Sequence, residues 1–100
     1  MTLIEKLNEI GFKKVKNNNK NKYIYTLDID NYMDRFGYTI IYDPEINKFY
    51  IMAHKSSSRL IDEEEILRNH NNTNPKMKER WILLKEQLKD FDMNLGSKYD

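Results

Sequence analysis

One hundred residues, of which 33% are charged and 39% hydrophobic, describe a single domain with a thin core and a heavily charged surface. A net charge of +1 argues against a strongly basic nucleic-acid binder and equally against an acidic mimic of DNA. The absence of cysteine excludes a disulfide scaffold, thiol catalysis and cysteine-ligated zinc, and no run approaches the roughly 18–20 apolar residues of a membrane span.

From the N-terminus, Thr2 followed three residues later by Glu5 is a capping-box pattern. Leu3, Leu7 and Ile10 form an apolar stripe, and Gly11 sits where a left-handed residue ends a helix. A short helix over 3–10 is expected. Met1-Thr2-Leu3-Ile4-Glu5-Lys6 lacks the basic and apolar regions of a signal peptide, so the chain reads as soluble and cytoplasmic.

Phe12 to Lys16 and Lys22 to Ile29 read as strands joined by an Asn/Lys turn over 17–21. Tyr23, Tyr25, Leu27 and Ile29 alternate onto one face, taken as the core face. Asp30 to Phe36, with Gly37 after it, fits one irregular helical turn or a long connection and is read as loop. Tyr38 to Tyr42 and Phe49 to Ala53 flank Asp43-Pro44-Glu45-Ile46-Asn47-Lys48, in which Pro44 suits the second turn position and Asn47 tolerates positive φ. This predicts a β-hairpin, with one face on helices and the other showing aromatic surface.

Asp62 and Glu65 repeat the capping-box spacing, and Ile61 and Ile66 have the spacing of a hydrophobic staple. Glu63, Glu64 and Glu65 favour the positive end of the helix dipole, so a short helix is expected here. After a polar linker comes the longest pattern, Asn74 to Leu95, with Asn74 as N-cap and Pro75 at the first helical position. Met77, Trp81, Leu84, Leu88, Phe91 and Leu95 recur at helical steps along one stripe. The expected order α-β-β-β-β-α-α makes an α+β domain over 1–95. An N-terminal helix and two C-terminal helices pack on one face of a small antiparallel sheet of three to four strands, and 96–100 forms a tail.

Candidate chemistry is sparse. Asp28, Asp30 and Asp34 cluster as hard-cation ligands would, but Tyr32, Met33 and Thr39 stand where a calcium loop needs a ligand, a glycine and a glutamate. No metal or cofactor is therefore expected. His54 and His70 are the only histidines, and neither has the spacing of a hydrolase triad or a zinc pair. The loop Lys55-Ser56-Ser57-Ser58-Arg59 lacks the glycines of a phosphate cradle. A hidden hydrolase would require Asp28, Asp30, Asp34 or His54 to converge in a pocket.

The charges are unevenly placed. Residues 1–22 hold six lysines against Glu5 and Glu9. Lys13, Lys14, Lys16, Lys20 and Lys22, followed by Tyr23 and Tyr25, have the ingredients of a single-strand nucleic-acid site. They equally suit an edge hairpin protected from aggregation. Asn, Lys, Ile and Tyr supply 12, 13, 11 and 7 residues, and Lys outnumbers Arg 13 to 4, as expected of an AT-rich genome.

By exclusion the sequence points to a non-enzymatic protein-binding domain, in size and composition like phage- or mobile-element-encoded inhibitors of host or defence proteins. Tyr38, Tyr42, Tyr50 and Trp81 are the candidate aromatic anchors where exposed. Asp62, Glu63 and Glu64 form an acidic patch able to steer a basic partner. The alternative is a nucleic-acid-binding accessory module using the lysine hairpin. The 77–95 stripe also admits a homodimer seam, and whichever of Ile82 and Leu83 stays exposed marks a partner contact.

Overall fold

The computed structural model describes residues 1–15, 22–29, 36–55, 60–68 and 75–96. The Asn/Lys turn, Lys16, Lys20, Asp30, Asp34, the 56–59 loop, His70, the Asn74 cap and residues 97–100 lie outside them. The chain folds as α+β in the expected order, with two short strands added at its C-terminal half.

Helix α1 (Leu3–Ile10) begins on the expected capping box. Thr2 Oγ1 accepts from the Glu5 amide, and Glu5 Oε1 accepts from the Thr2 amide, each at 3.2 Å. Gly11, at φ +119°, closes the helix by donating its amide to the Leu7 carbonyl. This geometry turns Phe12 inward, and both Leu7 and Phe12 are buried in the common core.

Strands β1 (Lys13–Val15), β2 (Tyr23–Ile29), β3 (Phe36–Asp43) and β4 (Lys48–Lys55) form an antiparallel meander. The β3–β4 hairpin turns on Asn47 at φ +52°. Asp43 Oδ1 accepts the Glu45 amide, and the Tyr42 hydroxyl donates to Asn47 Oδ1 at 2.8 Å. Tyr25, Leu27 and Ile29 of β2 pack on the core, as their alternation implies, whereas Tyr23, expected with them, lies at the end of the same face beyond the helices and is exposed. Phe36 and Gly37 correct the loop reading of 30–37, because both lie inside β3. Glycine reads locally as a strand breaker, but here it is placed where two neighbours need its missing Cβ.

Strand β5 (Leu60–Ile61) pairs with β4 at Ala53 and His54, and helix α2 (Glu63–Leu67) follows at once. Asp62 is its N-cap and accepts the Glu65 amide at 2.9 Å; Ile61 and Ile66 are both buried. Helix α3 (Pro75–Leu88) starts on its proline and buries Met77, Trp81, Leu84 and Leu88. It stops there, whereas the apolar spacing predicts a helix to Leu95. Asp90, Asp92 and Asn94 follow Leu88, and such side chains compete with the helix for backbone hydrogen bonds. Phe91 leaves on a turn, and β6 (Asn94–Leu95) runs parallel to β4 at Tyr50 and Ile51. Among the described residues the sheet thus has six strands and is mixed, where three to four antiparallel strands are expected from sequence.

The three helices among the described residues lie on one face. The Tyr38 hydroxyl donates to the Met77 carbonyl at 2.7 Å, and the Tyr38 ring stacks on Trp81 with centroids 6.1 Å apart. Gly11 brings α1 against Leu27 on the same face. No helix among the described residues is long and apolar enough to cross a membrane.

Candidate functional site

The expected anchors separate into core and surface. Tyr38 is 1% exposed and Trp81 0%, so both are removed from the contact set and belong to the centre of the core. The face they occupy is the one that docks the helices, and the aromatic bulk that makes a good interface anchor makes an equally good core residue. Tyr42 and Tyr50 are half-buried.

The acidic patch is also redistributed. Asp62 is engaged as a helix cap. Glu63 Oε2 accepts from the Trp81 indole at 2.9 Å and sits 2.6 Å from Lys85 Nζ. The hydrogen bond from Lys85 first, then that from Trp81 and the Lys85 charge, hold the Glu63 carboxyl below its ordinary value against the opposing effect of burial. Glu64 is exposed and pairs with Arg68 one turn on.

In the lysine hairpin, Lys13 and Lys14 are exposed, while Lys22 lies 3.2 Å from the buried Asp43 carboxylate. Lys14 Nζ stands 4.5 Å over the Tyr23 ring. Tyr23, Tyr42 and Phe49 are register neighbours, with Tyr42 stacked between the other two at centroid distances of 6.0 and 4.3 Å. A base-stacking platform needs a bare ring face. Here Tyr42 spends both faces on its neighbours and Tyr23 spends one on Tyr42, with a lysine over its ring.

The opposite sheet face carries a constellation that sequence spacing misses. The Thr39 hydroxyl lies 2.7 Å from His54 Nδ1, and His54 Nε2 lies 3.0 Å from Asp28 Oδ1. Asp28, Gly37 and His54 are register partners on three adjacent strands. The imidazole therefore reaches Asp28 across β3 in the space above Gly37, where a Cβ would stand 2.7 Å from Nε2. Asp28 and His54 do converge, but in an order unsuited to hydrolysis. The hydroxyl, on a residue 8% exposed, is the closed end, and the carboxylate, with its side chain 83% exposed, is the open one. A nucleophile must meet substrate, so this arrangement acts as a clasp across three strands. The hairpin register alone, running from Asp43 opposite Lys48, would have placed Gly37 opposite His54. What sequence lacks is the β2–β3 register, because residues 30–35 carry no readable pattern. Among the described residues no three His, Cys, Asp or Glu side chains gather as metal ligands.

The outer face of α3 is the remaining candidate. Ile82 and Leu83 are both exposed, at 56% and 59%, as successive residues about 100° apart that bracket the side of the helix opposite its buried stripe. Glu79 and Glu86, also exposed, lie on the same strip one turn to either side. The helix is held rigidly beneath them by Met77, Trp81, Leu84 and Leu88. No protein-family model, curated protein or solved structure matches the chain.

Proposed function

We propose that this is a non-enzymatic protein-binding domain that meets its partner through the outer face of α3, acting as an inhibitor or modulator by occupying a surface. The observation that carries the reading is the exposure of two adjacent large aliphatic side chains, Ile82 and Leu83, on a helix whose other face is anchored in the core. Singly exposed apolar residues are ordinary, but two on the outward arc of a helix whose other face is anchored in the core form a compact apolar contact with a charged rim. A pre-ordered helix also loses little conformational freedom on binding. The likeness to phage-type inhibitors is proposed on size and composition.

The test is affinity purification from the native cell with the wild-type chain and with an Ile82→Gln/Leu83→Gln variant. Both positions are exposed, so the variant keeps the fold. A stoichiometric complex recovered by the first and lost by the second supports the reading; equal recovery by both overturns it.

A nucleic-acid module built on the lysine hairpin is the second reading. Lys13 and Lys14 support it by their exposure. The mutual stacking of Tyr23, Tyr42 and Phe49 counts against a base-stacking site.

A further inference from the structure

We infer that the α3 face is built for a heterologous protein presenting an apolar slot bordered by two cations, and not for a second copy of this chain. This deepens the protein-binding reading and rests on it.

The inference comes from the order of side chains along one strip of the helix. Glu79 lies three residues before Ile82, and Glu86 lies three residues after Leu83. At 100° and 1.5 Å per residue, the four side chains share a face, with the acids about 10 Å apart and the aliphatic pair between them. The arrangement is symmetric about the midpoint of Ile82 and Leu83, and that symmetry discriminates between occupants. An antiparallel two-fold pairing that sets the aliphatic pairs together places Glu79 against Glu86 of the other copy, twice. A parallel two-fold pairing places each glutamate against itself. Two-fold contacts are the common form of self-association, and both versions set like charges face to face.

The flanks do not relieve the conflict, because Lys78 and Lys85 line one side of the strip and Lys76 and Arg80 the other. A copy meeting a copy would bring bases together there as well. Glu86 lies 2.6 Å from Lys89, but both side chains are more than half exposed, and such a pair is exchanged at little cost for a cation supplied by a partner. The complementary surface is therefore an apolar slot with one cation at each end, spaced as the two glutamates are, and with acidic or uncharged walls facing Lys78 and Lys85 on one side and Lys76 and Arg80 on the other.

The experiment uses the full chain as bait in the native cell extract, with carbodiimide as a zero-length probe that joins carboxylates to lysine amines. The expected result is a captured protein of different sequence, cross-linked through Glu79 or Glu86. Its capture is lost with Ile82→Gln/Leu83→Gln and with Glu79→Lys/Glu86→Lys, and retained with a Lys13→Glu/Lys14→Glu control. Capture that needs Ile82 and Leu83 but ignores the glutamate reversal overturns the charge assignment and leaves the protein-binding reading standing. Capture indifferent to all four residues, or no capture, overturns both. Sedimentation of the purified chain gives the second arm, with a monomer expected. A dimer that dissociates in Ile82→Gln/Leu83→Gln overturns the inference in favour of a second copy.

Discussion

Trp81 Nε1 donates to Glu63 Oε2 at 2.9 Å, and the same carboxylate oxygen lies 2.6 Å from Lys85 Nζ, so one acidic side chain ties α2 to two successive turns of α3. Directly beneath, Gly96 donates its amide to the Ile51 carbonyl and accepts the Glu63 amide. A Cβ on Gly96 would stand 2.3 Å from Glu63 Cβ and 3.1 Å from the indole, and φ there is +82°. The helices and the β4–β6 edge thus meet at one point.

Replacing Glu63 with Ala leaves the indole N–H of a buried tryptophan without its acceptor. The expected cost is about 1–3 kcal/mol of folding stability, measured by denaturant titration. The same group sets an acid dependence. Its carboxyl is held low in the folded state, so its contribution is present above the ordinary carboxylate value and is lost as pH falls through the lowered one. Wild-type stability should fall on acidification more steeply than that of Glu63→Gln; parallel curves would remove Glu63 from this role.

Gly37→Ala is expected to cost about 1–3 kcal/mol, as overpacking does. The new methyl meets the Leu27 carbonyl oxygen at 2.3 Å and the His54 ring at 2.7 Å, and a strand backbone cannot yield as a flexible side chain does. With Asp28 accepting, His54 should carry its proton on Nε2 and accept at Nδ1 from the Thr39 hydroxyl. Nitrogen NMR of the imidazole reads this tautomer, and a proton on Nδ1 alone would contradict the clasp.

Burial pushes the Tyr38 hydroxyl well above its ordinary value of 10.0, with Arg80 opposing weakly. A raised value means the folded state holds the proton that the unfolded chain gives up. Tyr38 therefore contributes stability that is complete below the ordinary tyrosine value and lost as pH climbs beyond it. Tyr38→Phe should flatten that alkaline decline while costing about 1 kcal/mol at neutral pH for the lost bond to the Met77 carbonyl. An unchanged alkaline slope would show that other groups control it.

Retention on single-stranded oligonucleotides separates the two functional readings. Because Tyr42 is stacked on both sides, any binding should be electrostatic, equal for single and double strands, and abolished by moderate salt. Salt-resistant binding of single strands that is lost with Lys13→Glu/Lys14→Glu would promote the nucleic-acid module over the protein-binding domain.

Legibility followed the range of the determining contacts. Thr2, Glu5, Gly11, Asp62 and Asn47 act on residues within five positions, and each adopts the role its local pattern implies. The buried stripe of α3 was equally readable as far as Leu88. Beyond it, Phe91 and Leu95 kept helical spacing because both still bury their side chains against the core, although by other backbone routes. Strands of two residues, β5 and β6, have no period to detect. Tyr38 and Trp81 show the complementary difficulty, since large aromatic side chains suit a core and an interface alike, and only the position of the helices decides between them. The Thr39, His54 and Asp28 clasp depends on the alignment of three strands, of which the hairpin turn encodes only that of β3 with β4.

Strand β6 joins Leu95 to Ile51 across about forty intervening residues, whereas each meander pair closes over a short connection. Contacts of long separation form late, because loop closure must be met before they reward it. During synthesis on the ribosome, part of the outer edge of β4 therefore emerges long before its parallel partner and stays bare in the nascent chain, a transient template for mispairing that only the later arrival of Asn94 and Leu95 closes.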